Sequence, residues 1–157
     1  MLKLLRTNSY NSDFIILVKL LDKYLAKTDG DEHAFYAQYN KLDHIKHVVL
    51  AYENDQAISC GALKEFTKEI VEVKRMYTKP EYRGKGIAGK ILTELENWAE
   101  EMGYQSCVLE TGTRQPEAIA LYRKQGYSLI YNYGQYAGIE NSLCFGKELL
   151  PPTPKGE

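Results

Sequence analysis

The stretch that most restricts the fold runs from Ile70 to Met102. It reads as a strand, Ile70 to Thr78, then Lys79-Pro80-Glu81-Tyr82, then the glycine-rich octet Arg83 to Lys90 (RGKGIAGK). A helix follows, on which Ile87, Ile91, Leu92, Leu95, Trp98, Ala99 and Met102 form one apolar stripe. A strand that hands over to a helix through glycines leaves bare backbone N–H groups at the helix entrance and lets a ligand approach them closely. That arrangement suits phosphate oxygens, so a phosphorylated cofactor is expected.

Upstream, Leu2 to Arg6 is strand-like, and Phe14, Leu17, Val18, Leu21 and Leu25 recur at three and four residues, as on an amphipathic helix that Thr28 to Asp31 would end. A weaker helix is expected over His33 to Asn40. His47 to Tyr52 and Ala57 to Phe66 read as strands joined by Glu53-Asn54-Asp55-Gln56, a hairpin signal. Downstream, Gly103 stands where the long helix should stop, and Ser106 to Glu110 is a buried strand. A further helix opens at Pro116, carries Ala118, Ile119, Leu121 and Tyr122, and ends at Gly126. Tyr127 to Tyr131 and Ser142 to Glu148 supply two last strands. A meander followed by strand, helix, strand, helix predicts an α/β (α+β) fold with a mixed sheet. Residues 1–150 read as a single domain, and the proline-rich 151–157 as a disordered tail.

A chain of 157 residues can bury roughly 68–70% of the surface its unfolded form exposes, enough for one core without staples. Its 20 Lys and Arg are matched by 21 Asp and Glu. Net charge therefore gives no argument for a nucleic-acid partner or an anionic membrane, and any charge at a phosphate site must be local. Cys60, Cys107 and Cys144 are far apart, with no Cys-x-x-Cys pair, and read as small buried hydrophobes in a reducing, cytoplasmic setting. Arg6, Asp13, Lys19 and Asp22 interrupt the apolar N-terminal residues, which fall short of a signal peptide or of the ~20 residues of a membrane span. His44 and His47 lack acidic or cysteine partners at ligand spacing; they read as surface residues, and no metal site is expected.

The octet alone has several owners. Gly84, Gly86 and Gly89 spell Gly-x-Gly-x-x-Gly, and Glu110 could pose as the ribose partner of a dinucleotide fold, but that fingerprint turns directly off its strand, whereas Lys79 to Arg83 intervene here. The phosphate loop of nucleoside triphosphatases needs Gly-Lys-Ser or Gly-Lys-Thr, which is absent. A plain strand-to-helix turn remains open.

The wider text narrows the choice. The segment from Glu72 to Leu92, with Ala118 to Tyr127, resembles the Gcn5-related N-acetyltransferase (GNAT) superfamily. Arg83, Gly84, Lys85, Gly86, Ile87 and Ala88 satisfy its pyrophosphate motif, while Gly89 is a coincidental third glycine. Ala118, Leu121, Tyr122, Gly126 and Tyr127 satisfy its second motif, with Gln115 where the family has asparagine. The resemblance implies a mostly antiparallel sheet of about seven strands, with helices on both faces and a splay between the fourth and fifth strands. It implies an acetyl-CoA-dependent N-acetyltransferase acting on a primary amine of a small molecule or protein by direct attack. Alternatives are a non-catalytic acetyl-CoA sensor or subunit, or the use of another acyl-CoA. The backbone of Gly84 to Gly89 would hold the pyrophosphate, with Arg83 and Lys85 adding charge. Met76, Tyr77 and Thr78 would pair with the pantetheine arm, and Gln115 would contact the cofactor. Strand-edge homodimers are common in the family.

Two side chains are then assigned catalytic roles. An alkyl ammonium with a pKa of about 10.4 must lose a proton before it attacks, so a base is required. Glu72, eleven residues ahead of Arg83, stands where one branch of the family carries its glutamate base, with Glu110 as the rival; the plain reading of Glu72 is an ion pair with Lys74 on the same strand face. Tyr122 is the hydrogen-bond donor to the departing thiolate, or else a core tyrosine. Tyr131, Tyr133 and Tyr136 either line an acceptor pocket or pack an edge strand. Asp29, Asp31 and Glu32 read as a solvated turn near Tyr36, and the charges between Lys90 and Glu101 as a solvent face.

Overall fold

The computed structural model describes residues 1–29 and 45–149. The helix expected over 33–40 and the tail 151–157 lie outside the described residues. Strands β1 (Leu2–Thr7), β2 (His47–Glu53), β3 (Gln56–Glu65), β4 (Ile70–Thr78), β5 (Ser106–Gly112), β6 (Ser128–Ile130) and β7 (Ser142–Glu148) form one seven-stranded sheet in the order β1-β2-β3-β4-β5-β7-β6. All neighbours are antiparallel except β4 and β5. The β2–β3 hairpin turns on Asn54 and Asp55, with φ of 50° and 66°; positive φ at both central residues matches the right-handed twist of the strands they join.

Among the described residues three α-helices cover the sheet: α1 (Ser12–Asp29), α2 (Ile87–Glu101) and α3 (Pro116–Lys124). Asn11 starts α1, its side-chain oxygen accepting from the N–H groups of Asp13 and Phe14 at 2.9 and 3.2 Å. The apolar stripe of α1 (Phe14, Leu17, Val18, Leu21) packs on Val48, Leu50, Cys60, Ala62 and Tyr77 of one sheet face. The stripe of α2 and the apolar side of α3 pack on the other face, against Val49, Leu63, Val71, Val73, Cys107, Leu109 and Phe145. All three cysteines are buried and free.

Some expectations change. The last turn of sheet is shorter than the apolar run suggested, with β6 confined to three exposed residues. The charged side of α2 is not wholly a solvent face. Glu96 is buried and accepts from Tyr127 Oη at 3.0 Å and Lys147 Nζ at 2.8 Å, while Glu94 and Glu101 hold Arg6 at 2.7 and 2.8 Å. Residue spacing along a helix cannot reveal cations that arrive from distant strands. His47 is half-buried with its ring edge on Trp98, 4.8 Å between centroids; burial lowers its pKa.

Candidate active site

The parallel pairing of β4 with β5 is brief. Ile70, Val71 and Glu72 face Ser106, Cys107 and Val108, and beyond that the strands part. From Val73 to Thr78 the side of β4 away from β3 has no ladder among the described residues, while β5 stays paired to β7 through Gly112. The splay expected between the fourth and fifth strands is therefore present.

A second irregularity sits opposite. Cys60 pairs with Tyr77 but Ala62 with Lys74, so β4 carries one residue more than β3 between these pairs. The bulge falls at Arg75, whose φ is +58°, a region that costs a non-glycine residue strain. Strict alternation is broken there. Val71 and Val73 face the α2 side, and Glu72 and Lys74 the α1 side, where Arg75 joins them through its ion pair with Asp22 of α1 at 3.0 Å.

A cavity of about 130 Å³ fills the opening. β4 contributes Glu72, Lys74, Arg75 and Met76; β5 contributes Glu110 and Thr111. Gln115, Ala118 and Tyr122 line it at α3, Leu21 and Leu25 at α1, and Tyr136 at the segment before β7. Glu72 and Tyr122, assigned from distant parts of the sequence, thus share one cavity. Glu72 is 5% exposed; its Oε2 accepts from Tyr133 Oη at 2.8 Å, and its Oε1 lies 3.9 Å from Lys74 Nζ. The Lys74 pair expected from the sequence exists, but it is long, and the tyrosine makes the shorter contact. Burial lowers the Lys74 pKa against the opposing pull of Glu72. Tyr122 is 6% exposed, with its ring 6.0 Å from Tyr127 and 6.4 Å from Phe145. Burial, then the charge of Glu110, raises its pKa, so the phenol stays protonated and able to donate.

The glycine loop lies at the far end of β4. Gly84 and Gly86 both take φ of +78° and are surrounded by open space, since a Cβ built on either would meet nothing within 4 Å. Gly86 is the residue before α2, and no side chain caps the helix, so its first N–H groups are available to an anion. Ile87 is an anchor in the core, 6% exposed, with half-buried Ala88 beside it. A Cβ on Gly89 would meet only the end of the Gln125 side chain, which can swing aside, so nothing in the packing demands this third glycine. Arg83 is tied back to β4. Its Nε donates to the Thr78 carbonyl at 2.8 Å, and its guanidinium stands 5.4 Å from the Tyr24 ring and 5.6 Å from the Tyr77 ring. Lys85 Nζ is 5.5 Å from the Tyr82 ring.

Residues 14–127 match the Acetyltransferase (GNAT) family. The chain belongs to this family. It is 35% identical over 136 residues to the IAA acetyltransferase of Azospirillum brasilense, covering 85% of this chain and 88% of that one. To the uncharacterized N-acetyltransferase YjgM of Escherichia coli it is 35% identical over 112 residues, 69% of this chain and 66% of that one. A Klebsiella pneumoniae crystal structure, at 26% identity, superposes with a TM-score of 0.80 over 96% of this chain and 99% of the other. A GNAT family acetyltransferase from Elizabethkingia anophelis, solved with acetyl-CoA bound, gives 0.69 at 20% identity, covering 94% and 98%.

Within this GNAT fold Arg75 and Gly61 escaped the sequence, and Tyr133, named there only in a tyrosine cluster, takes an unforeseen partner. Arg75 reaches the cavity only because of the bulge. Tyr133 meets Glu72 across 61 residues, although its place in a tyrosine cluster had marked the segment; of that cluster Tyr136 is buried at the cavity and Tyr131 is 97% exposed. Gly61 on β3 carries no signal at all, yet a Cβ there would lie 2.5 Å from Met76 Sδ and 2.8 Å from both Ile91 and Leu95. Its bare backbone lets Met76 and α2 close over the sheet. Among the described residues no cluster of His, Cys, Asp and Glu could hold a metal ion, and no helix is long and apolar enough to cross a membrane.

Proposed function

We propose that this chain transfers the acetyl group of acetyl-CoA to a primary amine by direct attack. The observation that carries the reading is that Glu72, from the α1 side of the sheet, and Tyr122, from the α2–α3 side, line one cavity where β4 and β5 diverge. Acetyl-CoA supplies an activated thioester: the amine nitrogen forms a bond to the acetyl carbon, the carbon–sulfur bond breaks, and the thiolate departs.

The residues divide the remaining work. The backbone N–H groups of Gly84 to Gly89, at the positive end of the α2 dipole, receive the pyrophosphate, and open space around Gly84 and Gly86 admits it. Arg83 and Lys85 bring local charge. The edge of β4 at Met76, Tyr77 and Thr78, which has no strand partner among the described residues, accepts an amide-bearing arm as it would an added strand, and one of its N–H groups donates to the carbonyl oxygen as negative charge develops there. Gln115, at the mouth of α3, offers its side-chain amide to the same ligand. Glu72, directly or through water, takes the proton of the amine, and Tyr122 donates a hydrogen bond to the leaving thiolate.

Incubation with acetyl-CoA and a broad amine panel, read by free-thiol release, tests this function. Thiol release that depends on an amine is expected. Tight acetyl-CoA binding with no release on any amine would favour a non-catalytic sensor, and no binding at all would remove the reading.

A further inference from the structure

Arg75 is the least expected group in the cavity. Its side chain is 3% exposed, and among the described residues its ion pair is made by Nη2 with Asp22, whose own side chain is 47% exposed. The N–H groups on Nε and Nη1 are buried and have no hydrogen-bond partner among the described residues. A guanidinium cannot shed its proton to escape the cost of burial, so these donors await an acceptor that the described protein does not supply. The bulge that turns Arg75 onto the same face as Glu72 and Lys74 also makes it part of the cavity wall.

Resting on the acetyl-transfer reading, we propose that Arg75 binds a carboxylate on the acceptor, which is therefore a small amino-acid-type zwitterion rather than a plain alkyl amine or a protein lysine. Charge around the cavity supports this. Glu72 and Glu110 line the space that an ammonium must enter, and Arg75 and Lys74 stand on the β4 wall. Asp22 already occupies one guanidinium nitrogen, and two glutamates share the cavity, so the site suits a monoanion better than a phosphate dianion. A carboxylate oxygen can accept from the unpaired Nη1–H or Nε–H on either edge of the guanidinium, one at a time, with the neighbouring Nη2 shared with Asp22.

The test compares matched acceptors on the wild-type protein: a set of L-amino acids, their carboxamides, the corresponding decarboxylated amines, and aminophosphonate analogues, all followed by thiol release. A site built to hydrogen-bond a group rejects analogues that lack it, so kcat/KM for the acids should exceed that for amides and amines by about a hundredfold or more. In Arg75→Gln this acid-to-amide ratio should fall to near one, and Arg75→Lys, which keeps the charge without the planar fork, should retain part of it. Equal rates on acids and amides in the wild type would overturn the proposal, and that comparison needs no variant to fold. A ratio unchanged in Arg75→Gln, or a clear preference for the phosphonates, would overturn it too. Acetyl-CoA binding measured by calorimetry separates the two levels: binding with turnover of plain amines alone sinks the carboxylate site and leaves acetyl transfer standing, whereas no binding sinks both.

Discussion

Replacing Tyr122 by phenylalanine isolates one oxygen. The ring packs near Tyr127 and Phe145, contacts that phenylalanine keeps, so unfolding stability should change by less than about 1 kcal/mol, or roughly 2–4 °C in Tm for a chain of this size. Burial raises the tyrosine pKa, so the wild-type hydroxyl is a neutral donor across the working pH range. A hydrogen bond to a charged group is worth about 1.5–3 kcal/mol. If it forms only as the thiolate leaves, its loss acts on kcat, and at about 1.36 kcal/mol per tenfold this is a reduction of about ten- to hundredfold. The KM for acetyl-CoA should stay within about twofold, because a bond absent from the ground state does not alter ground-state binding. Stopped-flow or continuous thiol detection with saturating amine measures both constants. A kcat within twofold of wild type, with Tm preserved, would remove Tyr122 from the chemistry and leave it a core residue.

Other perturbations bear on the same site. Glu72→Gln should lower the rate at neutral pH and recover part of it at high pH, where free amine is abundant; a pH–rate profile superimposable on wild type would assign proton removal to ordered water or Glu110. Tyr133→Phe removes the 2.8 Å bond to Glu72 and should lower kcat with acetyl-CoA affinity, followed by calorimetry, unaltered; an equal loss of affinity would argue for a general loosening. Gly61→Ala drives a methyl into Met76, Ile91 and Leu95 and should cost about 1–3 kcal/mol in denaturant melts, an overpacking penalty. Gly86→Ala meets no neighbour and should cost about 1–2 kcal/mol from its positive φ alone, with acetyl-CoA binding weakened in titrations.

What could be read in advance followed from local chemistry. The 3.6-residue stripes placed the described helices because each buries one face, and short apolar runs placed the central strands, which bury both. Asn54-Asp55 announced its turn because few other residues accept positive φ twice in succession. The glycine octet and the Tyr122 segment were visible because ligand approach and helix packing constrain residue type at fixed spacing. Arg75 was not, since nothing in Glu72-Val73-Lys74-Arg75-Met76 states that alternation fails after Lys74; the bulge is set by the register with β3. Gly61 was silent for a similar reason, its neighbours being Met76 and α2 rather than adjacent residues. The Tyr133–Glu72 bond and the Glu96–Lys147 pair join distant segments, and only the sheet order β5-β7-β6 brings the latter together.

The short β4–β5 ladder has a mechanical consequence. Three residue pairs are the hydrogen-bonded seam between a plate of β1 to β4 and a plate of β5, β7 and β6. A molecule seated in the gap touches both plates, acting as a clasp across a seam that has only a short backbone ladder. Saturation at a hundred times Kd adds about 2.7 kcal/mol to the folded state, and hydrogen exchange should report that gain first at Val73 to Thr78 and Leu109 to Gly112, the two lips of the gap.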